Sequence, residues 1–175
     1  VDGNGDEGII LTDSPGSIVN DNYPDGNGDC GIYVSSSPNT EIRRNTANSN
    51  NHGIYVTSSA NTQITDNVAS FNAKTTRHST GIYVTSSPFS TIYNNIANSN
   101  WRGIFVEYSS DTTVSSNVVS SNKLFGISLY FSHNCELSIN IVDQSTGEWD
   151  SAGFYLSNSE YSTIIDNQVN LNWFG

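Results

Sequence analysis

A short alternation of apolar and polar residues returns along the whole chain. It begins with a glycine and continues as isoleucine, a mostly aromatic residue and valine, as in the GIYV segments at Gly31, Gly53 and Gly81. This period-two pattern is typical of a β-strand with one buried face. The units begin at Gly8, Gly31, Gly53, Gly81, Gly103, Gly126 and Gly153. These seven glycines are 22 or 23 residues apart, except for two steps of 28 and 27 residues, from Gly53 to Gly81 and from Gly126 to Gly153.

Two more apolar columns follow within each unit. The first column is Ile42, Ile64, Ile92, Val114, Leu137 and Ile164. The second column is Ala47, Ala69, Ala97, Val119, Val142 and Val169. Each unit therefore predicts three short strands joined by polar corners. Because no stretch shows a helical period, we expect almost no helix.

Asparagines also recur at fixed positions of the unit. One column is Asn45, Asn67, Asn95, Asn117, Asn140 and Asn167, and another is Asn50, Asn72, Asn100, Asn122 and Asn172. Identical amides stacked at strand spacing can hydrogen-bond along the column. A unit of this size cannot bury its apolar face alone, but stacked units can. The prediction is an all-β fold, a single-stranded parallel β-helix of about seven rungs, right-handed by the crossover rule. It forms one solenoid domain over residues 1–175.

These motifs resemble the right-handed parallel β-helix repeats of the NosD-like and pectate-lyase-like superfamily. The resemblance rests on the G-I-x-V segment, the downstream isoleucine and the asparagine columns, and it covers residues 8–175. It implies a surface or extracellular protein, in a group that includes carbohydrate-active enzymes, surface proteins and periplasmic copper-maturation proteins. A shared fold does not transfer any of these roles.

Charge and hydropathy narrow the partners. The chain has 17 acidic and 6 basic residues and a net charge of −11. A nucleic-acid partner is excluded on this ground, because such binding needs clustered lysine and arginine. No apolar run is long enough for a membrane span. The polar, acidic and lysine-poor surface fits an extracellular or cell-surface location.

An aromatic column lies two residues after the repeated glycine. It contains Tyr33, Tyr55, Tyr83, Phe105 and Tyr155, with Ser128 replacing the aromatic residue in one unit. By alternation this column points outward. Cross-strand stacking alone would stabilise the sheet. Alternatively, the stripe docks a glycan chain or another solenoid.

The corner before the glycine holds the length variation. Both insertions fall there, within residues 73–80 and 144–152, and the same corner holds His78, Trp101, Phe125 and Trp149. Exposed aromatic residues beside mixed charges suit a sugar or a protein partner, and the alternative is packing against the solenoid flank. Weak catalytic candidates on this side are Arg102, Glu107, Glu148 and Asp150. They do not repeat the residue set of polygalacturonases, and the chain lacks the basic groove that pectate lyases use, so the sequence favours a role without catalysis.

A duplicated acidic loop is a candidate metal site. Asp2, Asn4 and Asp6 precede the first unit, and Asp25, Asn27 and Asp29 precede the second unit, one rung later. Alternating oxygen ligands on a glycine-rich loop resemble the start of calcium loops. We expect Ca²⁺ between the two loops, and the alternative is a pair of solvated turns.

Cysteines and histidines give weaker evidence for a disulfide bond or a metal site. Cys30 and Cys135 lie about four rungs apart, roughly 19 Å by strand spacing, which is too far for a disulfide bond. Cys135 occupies a column of small residues and is expected to be a buried thiol. His52 and His78 are the one arguable metal pair, and their ordinary role is that of polar corner residues.

Two functions remain open at this point. The first is an extracellular structural or adhesive solenoid, such as a surface-layer, adhesin or filament module, whose copies stack end to end. It is favoured because neither end of the repeat carries a recognisable cap, which points to a segment or protomer of a longer stack. The alternative is a carbohydrate-active enzyme or glycan-binding module that acts on the face of the first sheet.

Overall fold

A computed structural model of the protein describes residues 2–73, 78–145 and 151–172. In these ranges the regular elements are all β-strands, and they form a parallel β-solenoid of about seven turns. The predicted all-β solenoid is therefore confirmed. Within the same ranges no helix is long and apolar enough to cross a bilayer.

The strands follow one another at short intervals. In chain order they are β1 (Ile9–Thr12), β2 (Ile18–Asn20), β3 (Cys30–Ser35), β4 (Glu41–Arg43), β5 (His52–Thr57), β6 (Gln63–Thr65), β7 (Thr80–Thr85), β8 (Thr91–Tyr93), β9 (Arg102–Glu107), β10 (Thr113–Ser115), β11 (Val118–Ser120), β12 (Phe125–Tyr130), β13 (Glu136–Ser138), β14 (Ile141–Asp143), β15 (Ala152–Ser157), β16 (Thr163–Ile165) and β17 (Gln168–Asn170).

Three parallel sheets form the sides of the solenoid. The first sheet has the order β1-β3-β5-β7-β9-β12-β15, and the second has the order β2-β4-β6-β8-β10-β13-β16. The third sheet contains β11, β14 and β17 and is continued by single bridges that join Thr46, Val68, Ile96 and Val118. Each strand pairs with the equivalent strand of the next rung, so that Ile32 lies opposite Ile54 and Ile54 opposite Ile82. Equivalent residues of neighbouring units are therefore stacked.

The core consists of the predicted apolar columns. In the middle rungs the isoleucine and valine columns of the first sheet are completely buried, for example Ile54, Val56 and Ile82. The columns of the other two sheets, such as Ile64 and Ala69, are buried against them. Burial of these side chains supplies the main favourable free energy of folding.

The repeated glycine is required by a close approach between sheets. A Cβ atom at Gly31 would lie 2.6 Å from the amide nitrogen of Asn50, 2.8 Å from the carbonyl oxygen of Gly53 and 2.9 Å from the Cβ of Ala47. Contacts of this length are repulsive, so a larger residue would push the first sheet away from the asparagine and alanine columns. The glycine thus sets the thickness of the core at this corner.

The buried asparagine side chains replace the backbone partners that are missing at the corners. The Oδ1 atom of Asn117 accepts hydrogen bonds from the backbone and side-chain nitrogens of Asn95, at 2.9 and 3.0 Å. Its Nδ2 atom donates to the carbonyl oxygens of Ile92 and Ser115 and to Oδ1 of Asn140. The columns extend beyond the predicted members, because Asn22 begins the first column, Asn4 and Asn27 begin the second, and Ser145 continues the second. Ladders of this kind satisfy buried polar groups that would otherwise be costly.

We predict that Asn117→Ala lowers the free energy of unfolding by about 3 kcal/mol, since it leaves a buried N–H and buried carbonyl groups unpaired. The measurement is urea denaturation followed by circular dichroism. Asn170→Ala, which changes an exposed asparagine of β17, is the control and should stay within about 0.5 kcal/mol of the unsubstituted protein. Equal losses in the two variants would contradict the ladder's role.

The corners turn through left-handed residues. One corner column with positive φ contains Asp21, Arg44, Asp66, Asn94, Ser116, Ile139 and Asp166. Ile139 stands out because it is β-branched, has a φ of 57° and is 62% exposed. The left-handed region is unfavourable for such a side chain, whereas asparagine tolerates it.

We predict that Ile139→Asn raises the free energy of unfolding by about 1 kcal/mol, because the strain at this corner is relieved. Ile141→Asn is the matched control, because Ile141 is also partly exposed but lies in strand β14. That change should destabilise the protein, since asparagine is disfavoured in strands. Urea denaturation of both variants is the test, and destabilisation by Ile139→Asn would refute the assignment of strain.

Candidate functional site

The outer face of the first sheet carries a ladder of aromatic rings. Tyr33 and Tyr55 meet edge to face with centroids 5.4 Å apart. Tyr55 stacks on Tyr83 at 4.7 Å, and Tyr83 stacks on Phe105 at 5.0 Å. The rings stack because the strands are in register at about the same spacing, ~4.8 Å. The predicted outward aromatic column is confirmed, although its tyrosines are half-buried by one another.

Ser128 interrupts this ladder. It lies in register between Phe105 and Tyr155, and its small side chain is buried beneath its neighbours. One face of Phe105 is covered by Tyr83, so the guanidinium of Arg102, 4.7 Å from the ring centroid, lies on the face toward Ser128. The missing ring has thus been replaced by a cation.

The far side of the gap is closed by a second pair of rings. Phe125, in the same rung as Ser128, stacks on Tyr155 at 4.4 Å with the ring planes 6° apart. The result is a groove of about 410 Å³ across the first sheet. The residues that line it are His78, Tyr83, Arg102, Phe105, Glu107, Phe125, Ser128, Tyr130 and Tyr155.

Arg102 is the cationic centre of the groove. Burial lowers the pKa of its guanidinium, while the nearby Tyr83 and Glu107 act in the opposite direction. The group stays charged at neutral pH because an arginine pKa lies far above this range. Among the described residues no carboxylate lies within ion-pair distance of the guanidinium. The guanidinium instead makes a cation–π contact with the face of Phe105. Its donors therefore remain available to an anionic ligand group.

Tyr83 and Glu107 form the polar wall of the groove. The phenol of Tyr83 donates a short hydrogen bond to Oε2 of Glu107. Burial, followed by the hydrogen bond and charge of Glu107, raises the pKa of Tyr83. The phenol is therefore protonated at neutral pH, and the carboxylate it contacts remains an acceptor for ligand hydroxyl groups. Together with Arg102, these groups can bind both an acidic group and the hydroxyls of a polar ligand.

Several predicted residues meet in this groove and others do not. The predicted residues that line it are Tyr83, Arg102, Phe105, Glu107 and Tyr155, whereas Tyr33 and Tyr55 belong to the part of the ladder outside it. Trp101 lies at the preceding corner, where its ring is 5.6 Å from the Lys123 ammonium. The other predicted residues Glu148, Trp149 and Asp150 lie outside the described residues. Within the described part of the groove Glu107 is the single carboxylate, so no pair of carboxylates for glycoside hydrolysis is present there.

The sequence places Phe125 and His78 at the corner before the repeated glycine, among the residues that suit a sugar or a protein partner, and both line the groove. Sequence reasoning missed Tyr130 as a lining residue. The break in the aromatic column at Ser128 was recognisable in the sequence, but its consequence depends on side chains of the neighbouring columns.

His52 belongs to the aromatic ladder. Its ring lies 5.7 Å from Tyr55 and 5.9 Å from Tyr83, and burial lowers its pKa. Among the described residues, neither His52 nor His78 belongs to a group of three side chains that could hold a metal ion.

The two acidic loops stack one rung apart, as the sequence indicated. The backbone N–H of Gly28 donates to the carbonyl of Asn4. Asn27 is buried and its Oδ1 accepts hydrogen bonds from Asn4, so it serves the asparagine ladder and is not available as the predicted metal ligand. The predicted ligand set therefore differs from the structure at Asn27. The sequence pattern began this asparagine column at Asn50, whereas the structure continues it back to Asn27.

A carboxylate cluster lies beside these loops. Asp6, Glu7 and Asp29 each place an oxygen within 4.8 Å of the others. Burial raises the pKa of Glu7, and the charges of Asp6 and Asp29 add to this effect. Of the predicted ligands, Asp25 instead accepts a hydrogen bond from the backbone of Asn48, and Asp2 lies near the backbone nitrogen of Asp25.

Comparison with protein families identifies the group. Residues 68–175 match the family described as periplasmic copper-binding protein (NosD), and residues 1–76 match the right handed beta helix region. The chain belongs to the NosD family. The predicted right-handed parallel β-helix repeat is therefore confirmed. The comparison with curated proteins gave no match.

Solved structures with the same fold include two polysaccharide epimerases. The periplasmic alginate epimerase AlgG is 24% identical, with a TM-score of 0.71, over 81% of this chain and 33% of its own. The Azotobacter vinelandii mannuronan C-5 epimerase AlgE4 A-module is 20% identical, with a TM-score of 0.74, over 93% of this chain and 54% of its own. At these identities the likeness is one of fold, and the chain spans a third to about half of these proteins.

The copper in the family description does not fit the donor groups of this chain. The sequence has no methionine, and both cysteines are buried free thiols whose pKa values are raised by burial. The imidazoles of His52, His78 and His133 belong to no group of three potential ligands among the described residues, and the one such group there consists of carboxylates. Copper prefers thiolate, thioether or imidazole, whereas carboxylates suit hard cations.

Proposed function

We propose that the groove on the first sheet binds an acidic polysaccharide outside the cytoplasm. The observation that carries this proposal is the guanidinium of Arg102, which lies on the open face of Phe105 without a carboxylate partner among the described residues. A uronate carboxylate or a sulfate would supply the missing anion. The location follows the family description and AlgG, which are both called periplasmic.

The shape of the groove supports a sugar ring as the bound unit. The stacked rings of Phe125 and Tyr155 offer apolar surface to the C–H face of a pyranose. Glu107 and the hydroxyl of Tyr130 offer hydrogen-bonding groups to its edge. Sites of this composition, aromatic walls with a few polar groups, are typical of small-ligand binding.

The charge of the whole protein limits how such a ligand is held. A net charge of −11 opposes long-range attraction of a polyanion. At physiological ionic strength this repulsion is screened beyond about 8 Å, whereas a partly buried contact is screened less. We therefore expect the polysaccharide to be recognised at short range, inside the groove, and with modest affinity.

The names of structurally similar proteins support the ligand class. AlgG and the AlgE4 module are named as epimerases of alginate and mannuronan, both of which are polysaccharides. Because they share only the fold with part of their length, the proposal concerns binding, and a reaction is a separate arm of the test.

We predict that Arg102→Gln weakens binding of an oligouronate about tenfold or more, because a charge-assisted contact is lost. Isothermal titration calorimetry with an oligouronate and with a neutral oligoglucan is the measurement. Arg44→Gln is the control, since Arg44 is exposed and paired with Asp21 at the corner that follows the second sheet. Ser128→Tyr should also abolish binding, because it completes the ladder and fills the gap.

Unchanged oligouronate affinity in both groove variants would refute the proposal. Incubation of the polymer with the protein tests for a reaction, through new reducing ends, unsaturated ends or altered sugar configuration by NMR.

Calcium at the acidic loops is a separate proposal, supported by the cluster of Asp6, Glu7 and Asp29. A hard cation would relieve the repulsion between these carboxylates. We predict that millimolar Ca²⁺ raises the melting temperature relative to chelator, since a ligand of the native state stabilises it. Asp29→Asn should remove the increase and the exposed control Asp111→Asn should keep it. Equal melting temperatures with Ca²⁺ and with chelator would contradict the calcium site and favour the alternative that the loops are solvated turns.

The structural or adhesive role, with copies that stack end to end, remains a prediction. It needs no groove, and the two roles are compatible because stacking would use the ends of the solenoid and leave the first-sheet face open.

A further inference from the structure

A second aromatic surface lies at the corner that follows the first sheet. Tyr108 directly follows β9 and Phe131 directly follows β12. Their rings stack with centroids 5.3 Å apart and planes 9° apart. Tyr108 is 54% exposed and Phe131 is 36% exposed, so neither ring belongs to the core. We refer to this pair as the corner platform.

The fold does not need aromatic residues at this corner. The equivalent positions in other rungs are Asp13, Ser36, Ser58, Ser86 and Asn158, and all of them share the left-handed backbone conformation. Tyr108 and Phe131 both have a φ of 47°. Serine and asparagine tolerate this conformation better than large side chains do. The aromatic pair therefore adds backbone strain, and because both rings are exposed, their burial does not offset it.

The corner platform is continuous with the groove. Tyr130 lines the groove and contacts Phe131 edge to face, with centroids 4.5 Å apart and planes at 85°. The two rungs that carry the platform are also the rungs of Arg102 and Ser128. Three residues of strand separate the platform from the aromatic ladder, which is about 10 Å. A ligand chain can bridge this distance, whereas a single sugar unit in the groove cannot.

We propose that Tyr108 and Phe131 form a second saccharide subsite, which takes a further sugar unit of the chain bound in the groove. This inference rests on the proposed function. The inner faces of the two rings cover each other. In the adjoining rungs, the outer face of Tyr108 looks toward Ser86, and that of Phe131 toward Asn158, by the register of the corner. Each outer face thus combines an aromatic surface for sugar C–H groups with a small polar residue for hydroxyl groups.

The size of the corner platform favours a sugar over a protein partner. Two rings flanked by serine and asparagine offer a narrow apolar strip. A stable protein interface needs a much larger continuous surface. An extended glycan needs one ring face for each sugar unit.

The test compares oligouronates of increasing length by isothermal titration calorimetry. Tyr108→Ser and Phe131→Ser introduce residues of the type found at this corner in other rungs, so folding should be retained. We expect the affinity for long oligomers to fall about tenfold, the loss of one well-packed aromatic contact, with disaccharide affinity unchanged. Tyr161→Ser is the control, because Tyr161 is also a left-handed corner aromatic and is 83% exposed, but it lies in another corner column.

The outcomes separate the two proposals. If Arg102→Gln abolishes binding at every length while the platform variants bind long oligomers as the unsubstituted protein does, the second subsite is refuted and the groove stands. If the unsubstituted protein binds no oligouronate of any length, both proposals are overturned. Equal losses for disaccharides and long oligomers in the platform variants would also refute the subsite, since the effect would then be structural.

Discussion

The in-register stacking of equivalent residues is the constraint on which this structure depends. Neighbouring strands of the first sheet come from successive units, so each side chain meets its counterpart at strand spacing. Apolar columns then form a continuous core. Asparagine columns can be buried, because each amide finds both a donor and an acceptor in the neighbouring rungs. The same rule would make a charged column unfavourable, which agrees with the scarcity of charged residues inside the solenoid.

A stack of identical rungs offers no distinct binding site. Such a site arises where the residue type in a column changes. The aromatic ladder is a structural device as far as Phe105, since each ring covers the next. At Ser128 the ladder stops, a cation occupies the open ring face, and two further rings close the far side. The corner platform arises in the same way, where aromatic residues replace serine over two rungs. Function in such a fold is therefore sought at departures from the repeat.

Family membership and structural likeness contribute different things to this protein. Membership of the NosD family accounts for the repeat, but the copper of the family description finds no suitable donor set in the described residues. The fold shared with two epimerases accounts for the long outer face on which the groove lies. Neither comparison places a specific side chain, so the proposed ligand depends on Arg102 and its surroundings.

The sequence by itself determined the fold, because the repeat imposes one periodicity on every column. The glycine, isoleucine and asparagine columns fell where the structure has them, and the outward tyrosines could be assigned by alternation alone. Only the tertiary structure decided the site. The position of the Arg102 guanidinium, the hydrogen bond from Tyr83 to Glu107 and the stacking of Phe125 on Tyr155 each depend on how side chains of different columns and rungs lean toward one another. Asn27 shows the same limit, because the pattern made it a predicted metal ligand, whereas the stacking shows its amide in the ladder. A repeat pattern describes which residues share a column, whereas contacts between columns are set by side-chain directions and packing, which the pattern does not contain.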